Sequence, residues 1–473
     1  MNRTASPLDR WLFGALVALV ALAPLPLGAN RPLPAALIAL AAGLLLLLWV
    51  FGVAMRGAPA AAFAPARRIA GPAALYLLVV VWIWVQWLPA PFASWGNPIW
   101  DEASAALGRE LAPRITVDPA ATLAALANLL AYGAIFWLAF RLTADPGRAR
   151  LARNAVIAIG SAYAAFGLFD YFGGTALFVD LPAQRAMSST FVNRNSFATF
   201  AGLALLCAAT VWFERIRHIL STARPLRQKI VMAVETLLFH SGWATAALLA
   251  IAVALLLTAS RGGILASLVA LAAVVLLQLA PGRGQARRRG PVVLFFLAVV
   301  GVALLVAGND VIERIDRQGL SIEDDLRGKI FATTIEAIRA APWTGTGYGT
   351  YRDAIEAWRV NDPDIFAVWE KAHNTWLENA MELGLPAALA LDAALFWLAL
   401  IALKGVAERR RGRAFPALGV AATLLVGLHA LVDFSLQIPA VAVLYAFIMG
   451  VAVAQSAPQR KLAAAVSTLP QEA

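Results

Sequence analysis

Residues 309–373 read NDVIERIDRQGLSIEDDLRGKIFATTIEAIRAAPWTGTGYGTYRDAIEAWRVNDPDIFAVWEKAH, the one long polar stretch in a chain whose other long runs are apolar. Up to residue 372 it holds twelve acids and eight bases. So charged a stretch folds in water, and the apolar runs at 291–308 and from residue 374 onward are each long enough to cross a bilayer. It is expected as a solvent-facing wall between two membrane spans. Which side of the membrane it faces decides what it can do.

Composition supports this. Hydrophobic residues make up 61% and charged residues 14% of the 473 residues, with a mean hydropathy of +0.72, whereas soluble domains run at about 45–50% apolar and about 25% charged. These values exclude an ordinary soluble enzyme and imply a polytopic, all-α integral membrane protein. Leu, Ala and Val fill the runs without the alternation that a transmembrane barrel needs, and in lipid a helix satisfies its own backbone. The single cysteine, Cys207, permits no intrachain disulfide. The net charge of +11 arises from short basic clusters between apolar runs. Membrane topology explains such clusters better than nucleic-acid binding does.

A spanning helix takes about 20 mostly apolar residues. Twelve candidates are expected, at 11–29, 33–54, 70–89, 119–140, 154–176, 196–213, 241–259, 262–280, 291–308, 374–403, 415–433 and 438–456. The first resembles a signal peptide, with Arg3 and Arg10 ahead of an apolar core. Pro24 and Pro26 interrupt that core, no clear A-x-A site follows, and a second span begins at once, so an uncleaved helix is expected.

Cytoplasmic loops are rich in Lys and Arg. With the N-terminus inside, 25 of the 39 Lys and Arg residues lie in cytoplasmic segments, six in short outer segments and eight in the long polar one. The asymmetry favours both the twelve-span count and its direction, and it puts the polar segment outside the cytoplasmic membrane. The implied division is spans one to nine over 1–308, a partly helical periplasmic loop domain over 309–373, spans ten to twelve over 374–456 and a cytoplasmic tail over 457–473.

The outer face then collects the informative polar residues. The loop at 90–118 carries Trp95, Pro98 and Trp100, suited to the membrane interface. The loop at 177–195 ends in Asn193, Arg194 and Asn195 at the start of a span, where a helix N-terminus favours anions. Ser260, Arg261, Gly262 and Gly263 are expected to form a tight turn between two spans. Arg261 either anchors that hairpin or serves a ligand, and the glycines, which permit close backbone approach, favour the second.

Within the polar segment, Phe331, Ile335 and Ile338 recur at helical spacing, Arg327 opens the same helix and Pro342 ends it. Gly345 to Tyr351, with Tyr348 at its centre, lacks the preceding strand and the lysine of a nucleotide loop, so a flexible loop near a substrate is expected. His373 and Asn374 stand at the mouth of the next span, with Glu378 and Glu382 following. A lone histidine is more often structural than catalytic, but an imidazole of near-neutral pKa in that place suits general-base work on a hydroxyl. The four histidines are too scattered for metal-ligand spacing, so no metal and no cofactor are expected. Asp433 and Gln437 belong to the last outer turn, while Asp170 and Asp392 lie within spans and have no evident role.

Taken together, the SRGG turn, the R-x(14)-P-x-x-G-x-G pattern from Arg327 to Gly347, the HN-x-x-L-E-x-x-x-E-x-G string from His373 to Gly384 and the closing H-x-L-V-D-F resemble the O-antigen ligase and polymerase superfamily over about residues 185–450. The resemblance implies a GT-C-like membrane glycosyltransferase that takes an undecaprenyl-diphosphate-linked glycan at the periplasmic face, without a metal. Ligases of this kind place the glycan on lipid A-core, polymerases extend one lipid-linked repeat with another, and related enzymes glycosylate protein hydroxyls. It implies Arg261, Arg327 and His373 as the catalytic residues. Asn193, Arg194 and Asn195 are the next candidates for substrate binding, with Asn374, Tyr348 and Asp433. The chemistry agrees, since a diphosphate leaving group wants bidentate cations and an acceptor hydroxyl wants a base. A lipid or anion transporter is the rival class. It would show paired broken helices and mid-membrane charge, whereas here the polar residues gather at one face.

Reporter fusions test the topology. Residues 220, 285 and 408 should report from the cytoplasm and residue 350 from the periplasm, and a cytoplasmic signal at 350 overturns the assignment of the polar segment.

Overall fold

A computed structural model describes residues 6–25, 27–57, 63–173, 186–220, 222, 224–236, 242–279, 322–359, 369–409 and 412–457. The span expected at 291–308, much of the loop at 177–195, the parts of the polar segment at 309–321 and 360–368, and the tail after 457 lie outside them.

Prolines and short polar caps start the helices where the apolar runs begin. The first helices are α1 (Pro7–Leu22), α2 (Pro32–Met55), α3 (Ala70–Trp87), α4 (Ile99–Leu107), α5 (Pro119–Leu142) and α6 (Pro146–Gly173). Next come α7 (Arg194–Leu220), α8 (Leu226–Glu235), α9 (Gly242–Leu257), α10 (Arg261–Leu279), α11 (Ile322–Ala340) and α12 (Tyr351–Arg359). The chain closes with α13 (Thr375–Leu383), α14 (Leu385–Glu408), α15 (Ala414–His429) and α16 (Pro439–Ala454). Pro7, Pro32, Pro119 and Pro439 occupy first helical positions, where a missing N–H costs nothing. Asp118 caps α5 by accepting from Ala120 N at 2.8 Å and Ala121 N at 3.1 Å.

Among the described residues, seven helices are long and apolar enough to cross a membrane, and α9, α15 and α16 are shorter apolar helices. One expected span divides. The run at 374–403 is two helices, α13 and α14, because Gly384 takes φ 75° and redirects the chain.

The core is built around α16, every residue of which is buried. It packs against α5, α7, α14 and α15, and small residues bring the helices close. A Cβ at Gly450 would lie 2.5 Å from Phe136 O and 2.9 Å from Phe140 N, so only glycine fits where α16 crosses α5. Outer helices do the reverse, α2 exposing Leu33, Leu37, Leu40, Leu44 and Leu47 to the surroundings.

The two ends of the bundle differ chemically. At one end, arginines that the sequence puts in the cytoplasm hold C-terminal carbonyls, as cations do at helix C-termini. Arg68 donates to Val453 O at 3.1 Å and Arg409 to Ala457 O at 2.9 Å. Arg153 pairs with Glu214 at 2.8 Å and lies over the Phe415 ring. At the other end, α11, α12 and α13 pack onto α3, α5 and α14 through a second core containing Val79, Ile83, Leu126, Ile330, Tyr351 and Met381. In α11 the buried face is Ile330, Thr333, Thr334, Ala337 and Ile338, while Ile335 is 37% exposed. The expected apolar face of Phe331, Ile335 and Ile338 is thus rotated, because hydroxyls of Thr334 and Tyr351 bond each other at 2.9 Å inside the core.

The close crossing yields a stability test. Gly450→Leu should lower the melting temperature of the detergent-solubilised protein by the equivalent of at least 1–3 kcal/mol, roughly the cost of overpacking a core. An unchanged melting temperature contradicts the packing at α16.

Candidate active site

At the end opposite the arginines, the turn from His429 to Gln437 joins three helix starts. Ser435 donates to Asp433 Oδ2, and Thr199 donates to Ser435 Oγ at 2.8 Å. Thr199 has then spent its proton, so its 2.6 Å contact with His429 Nδ1 is an N–H donation from the ring. Asp433 is fully buried, and its Oδ1 has no hydrogen-bond partner among the described residues.

Thr199 lies one turn into α7 and draws the start of that helix to the turn. Asn193 caps α7, accepting from Asn195 N at 2.7 Å, and Arg194 is the first helical residue, half-buried. Beside it α10 begins at Arg261, an exposed side chain, with Ser260 Oγ accepting from Gly263 N at 3.3 Å. The hairpin turn is therefore 258–260, and Arg261 to Gly263 form the first helical turn rather than the loop expected from the sequence. The glycines also serve another purpose. A Cβ at Gly263 would lie 2.7 Å from Ala198 Cβ, and one at Gly262 would lie 2.8 Å from Val432 and 3.0 Å from the His429 ring. The protein's own helices fill the space that a ligand was expected to use. What results is a pair of neighbouring helix N-termini, each carrying an arginine, a place suited to an anion.

His373 meets the same turn from the other side. Its ring stands edge-on to Phe434 at 4.8 Å and to Trp369 at 5.3 Å between centroids. Its φ of 54° lies in the left-handed region, which a non-glycine residue holds only when its neighbours compel it. They do so on both sides. Asn374 caps α13 by accepting from Leu377 N at 3.1 Å and donates to Leu431 O at 3.0 Å, and Thr375 N donates to Ala430 O at 2.9 Å. Before the histidine, Glu378 accepts from Lys371 Nζ at 3.1 Å and Ala372 N at 2.9 Å. The break at Gly384 means that His373 heads a short, largely buried helix rather than a span.

Glu382, one turn beyond Glu378, accepts from Gly349 N at 2.9 Å and Tyr351 N at 2.8 Å. Its carboxylate caps α12 and fills the cradle of the glycine-rich loop, whose other amides are also engaged. Thr346 N bonds Met381 O, Gly347 N bonds Glu382 O, and Tyr348 N bonds Gln86 Oε1. The loop expected to flex near a substrate is a packed knot with a carboxyl group of its own. Gln86, fully buried, ties it to α3 by donating to Thr344 O and Glu382 O, both at 2.8 Å. Burial and the neighbouring Glu378 push the Glu382 carboxyl up, to about 8, against the pull of Lys371 and the two amides. Lys371, which burial alone would lower, is raised by Glu378 and Glu382. Burial and Glu382 push the Tyr348 phenol well up.

Arg327 occupies the second turn of α11, and its backbone shares the register of Ile330 and Thr334. Helix α11 packs along α13, and the two end together, where Leu385 N bonds Pro342 O and Thr346 N bonds Met381 O. At about 1.5 Å per residue, Arg327 and His373 stand roughly 20 Å and 15 Å back from that common end, on starts that run the same way. The turn 429–437 thus brings Arg194, Arg261, His373 and Asp433 together, with α11 alongside. Asn193 and Asn374 act as helix caps, and Tyr348 sits below them in the glycine knot. The parts that sequence reasoning missed are the Thr199, His429 and Ser435 relay and the clamps by Gln86, Glu378 and Glu382. The only sequence signals for them were the i, i+4 spacing of the two glutamates and a histidine at the end of an apolar run.

Residues 246–391 match the family model described as O-antigen ligase, a segment that contains Arg261, Arg327 and His373. No curated protein matches the chain. The family match supports the resemblance drawn from the motifs, and Asn193, Arg194, Asn195 and Asp433 lie outside the matched residues.

The buried carboxyl has a measurable consequence. A carboxyl held above its unfolded value of about 4.3 binds its proton more tightly when folded, so stability falls as pH rises through the interval up to about 8. Melting temperature should drop between pH 5 and 8 in the parent and drop less in Glu382→Gln, which itself loses about 1–3 kcal/mol for the amide left without an acceptor. Identical pH slopes in the two proteins contradict the burial of this charge.

Proposed function

We propose that this membrane protein transfers a glycan from an undecaprenyl-diphosphate carrier to a hydroxyl of lipid A-core, acting as an O-antigen ligase at the periplasmic face of a bacterial inner membrane. The observation that carries the reading is the convergence on one turn of His373 and two arginine-bearing helix starts, at the end of the bundle opposite the arginines that cap carbonyls. The charge asymmetry of the sequence supports twelve spans and this orientation, and the GT-C-like architecture follows the family resemblance.

In the proposed reaction His373 takes the proton of the acceptor hydroxyl, whose oxygen forms a bond to the anomeric carbon as the bond from that carbon to the diphosphate oxygen breaks. The electron pair leaves with the undecaprenyl diphosphate. Arg261 and Arg327 hold its developing charge, and bidentate guanidinium groups suit it better than ammonium. Arg194 at the neighbouring helix start adds positive potential. Asp433, engaged by Ser435, holds the turn in place, while Asn193, Asn195, Asn374 and Tyr348 complete the wall of the site. No step uses a metal.

Purified protein, a lipid-linked glycan and a lipid A-core acceptor supply the test. Arg261→Ala and Arg327→Ala should each lower turnover about 100-fold to 1000-fold, comparable to losing an oxyanion contact, with partial rescue by Lys. His373→Ala should cost about 100-fold to 10000-fold while donor binding persists, and parental activity should rise through one ionisation near 6.5. Activity should survive excess EDTA. A His373→Ala protein with a third of parental turnover contradicts the general-base role. A deletion strain should accumulate free lipid-linked polymer. Single repeats in that strain would identify a polymerase instead.

A further inference from the structure

On the face of α16 turned away from Arg194 and Arg261, a half-open cavity of about 400 Å³ runs down into the bundle. Leu46, Phe136, Leu398, Ala446 and Met449 wall its depth, and Tyr348, Thr375, Asn379 and Gln437 form its polar mouth. From Ala442 to Met449 it follows α16 for about 10 Å, at 1.5 Å per residue. The lining is therefore apolar along its length and polar at one end only, the profile of a single aliphatic chain with a hydrogen-bonding head. The mouth keeps a donor for such a head. Gln437 Oε1 accepts from Thr375 at 3.0 Å, while Gln437 Nε2 is buried with no hydrogen-bond partner among the described residues.

Charge selects the occupant. No lysine or arginine lines the cavity among the described residues, and the buried Glu378 and Glu382 flank Asn379 and lie beneath the Tyr348 loop. Lys371, the cation nearest these acids, is engaged by Glu378 at 3.1 Å, so the mouth offers a diphosphate no free lining cation among the described residues. The cationic helix starts belong to α7 and α10, neither of which contributes a lining residue. His373 stands between the two regions, its ring on Phe434 and its chain two residues from Thr375. An in-line displacement at a sugar carbon needs nucleophile and leaving group on opposite sides. The lipid that reaches His373 from the cavity side is then the one that carries the nucleophile.

We propose that this cavity holds one acyl chain of the glycolipid acceptor, so that donor and acceptor lipids approach His373 from opposite faces of α16. The inference rests on the glycan-transfer reading, and its test does not require turnover. Parent protein in nanodiscs is illuminated with either a synthetic acyl-glycolipid or a polyprenyl diphosphate, each carrying a diazirine in its chain, and the labelled peptides are mapped. The acyl probe should label residues 442–449 and 129–137, and an excess of the unlabelled glycolipid, but not of phospholipid, should displace it. Ala446→Trp and Leu398→Trp, on facing walls, should each lower that labelling about tenfold, the equivalent of about 1.4 kcal/mol of binding, with melting temperature and polyprenyl labelling unchanged. Polyprenyl labelling of residues 442–449 overturns the proposal, as does equal displacement by phospholipid. Failure of the parent to transfer any glycan would instead count against the enzymatic reading, whatever the labelling pattern.

Discussion

A carboxylate buried at the end of an apolar bundle cannot stand alone, and the partners that Asp433 recruits organise the site. Ser435, Thr199 and His429 form a chain of hydrogen bonds from that carboxylate across three segments. The chain fixes where α7 begins relative to α15, and the glycines at 262 and 263 let α10 close against the same histidine. Once the turn is fixed, so are Thr375, bonded to Ala430 O and Asp433 O, and with it the backbone that presents His373. Buried polar networks of this kind are costly when incomplete and rigid when satisfied, which suits a site that must align two lipid substrates.

The second constraint is the pair Glu378 and Glu382. Two acids one turn apart in a buried helix repel, and each persists because backbone amides and Lys371 answer it. Their partners lie just before His373 and in the glycine knot, so one helix ties these two parts of the polar segment together. Gln86 carries the tie onward into α3. The left-handed backbone of His373 is the visible cost of this arrangement, and it falls on the residue whose orientation the chemistry needs.

Much of the membrane architecture was legible because lipid leaves the chain few options. An apolar run of spanning length has to be a helix, and most of the described long helices lie where such runs occur. Gly384 was not legible as a break, since a glycine in an apolar run costs little until tertiary contacts ask for a positive φ. The face of α11 was misjudged because threonine looks polar in sequence, yet Thr333 and Thr334 go inward once their hydroxyls find Lys329 O and Ile330 O. The glycines of the SRGG string show the same limit from another side. Their need for space was evident, but whether a ligand or His429 fills it depends on a residue 166 positions away. Arg261 and His373 were legible as candidates through motif order alone, whereas the relay through Thr199 joins residues with no sequence relation.

The central claim is a single displacement at the anomeric carbon, with His373 as base and the arginines on the leaving diphosphate. The anomeric configuration of the transferred glycan, compared with that of the same sugar on its lipid carrier by NMR coupling constants, tests it most directly. Inversion is the predicted result. Retention would require a covalent glycosyl intermediate or two successive displacements, and would contradict the roles assigned here to His373, Arg261 and Arg327.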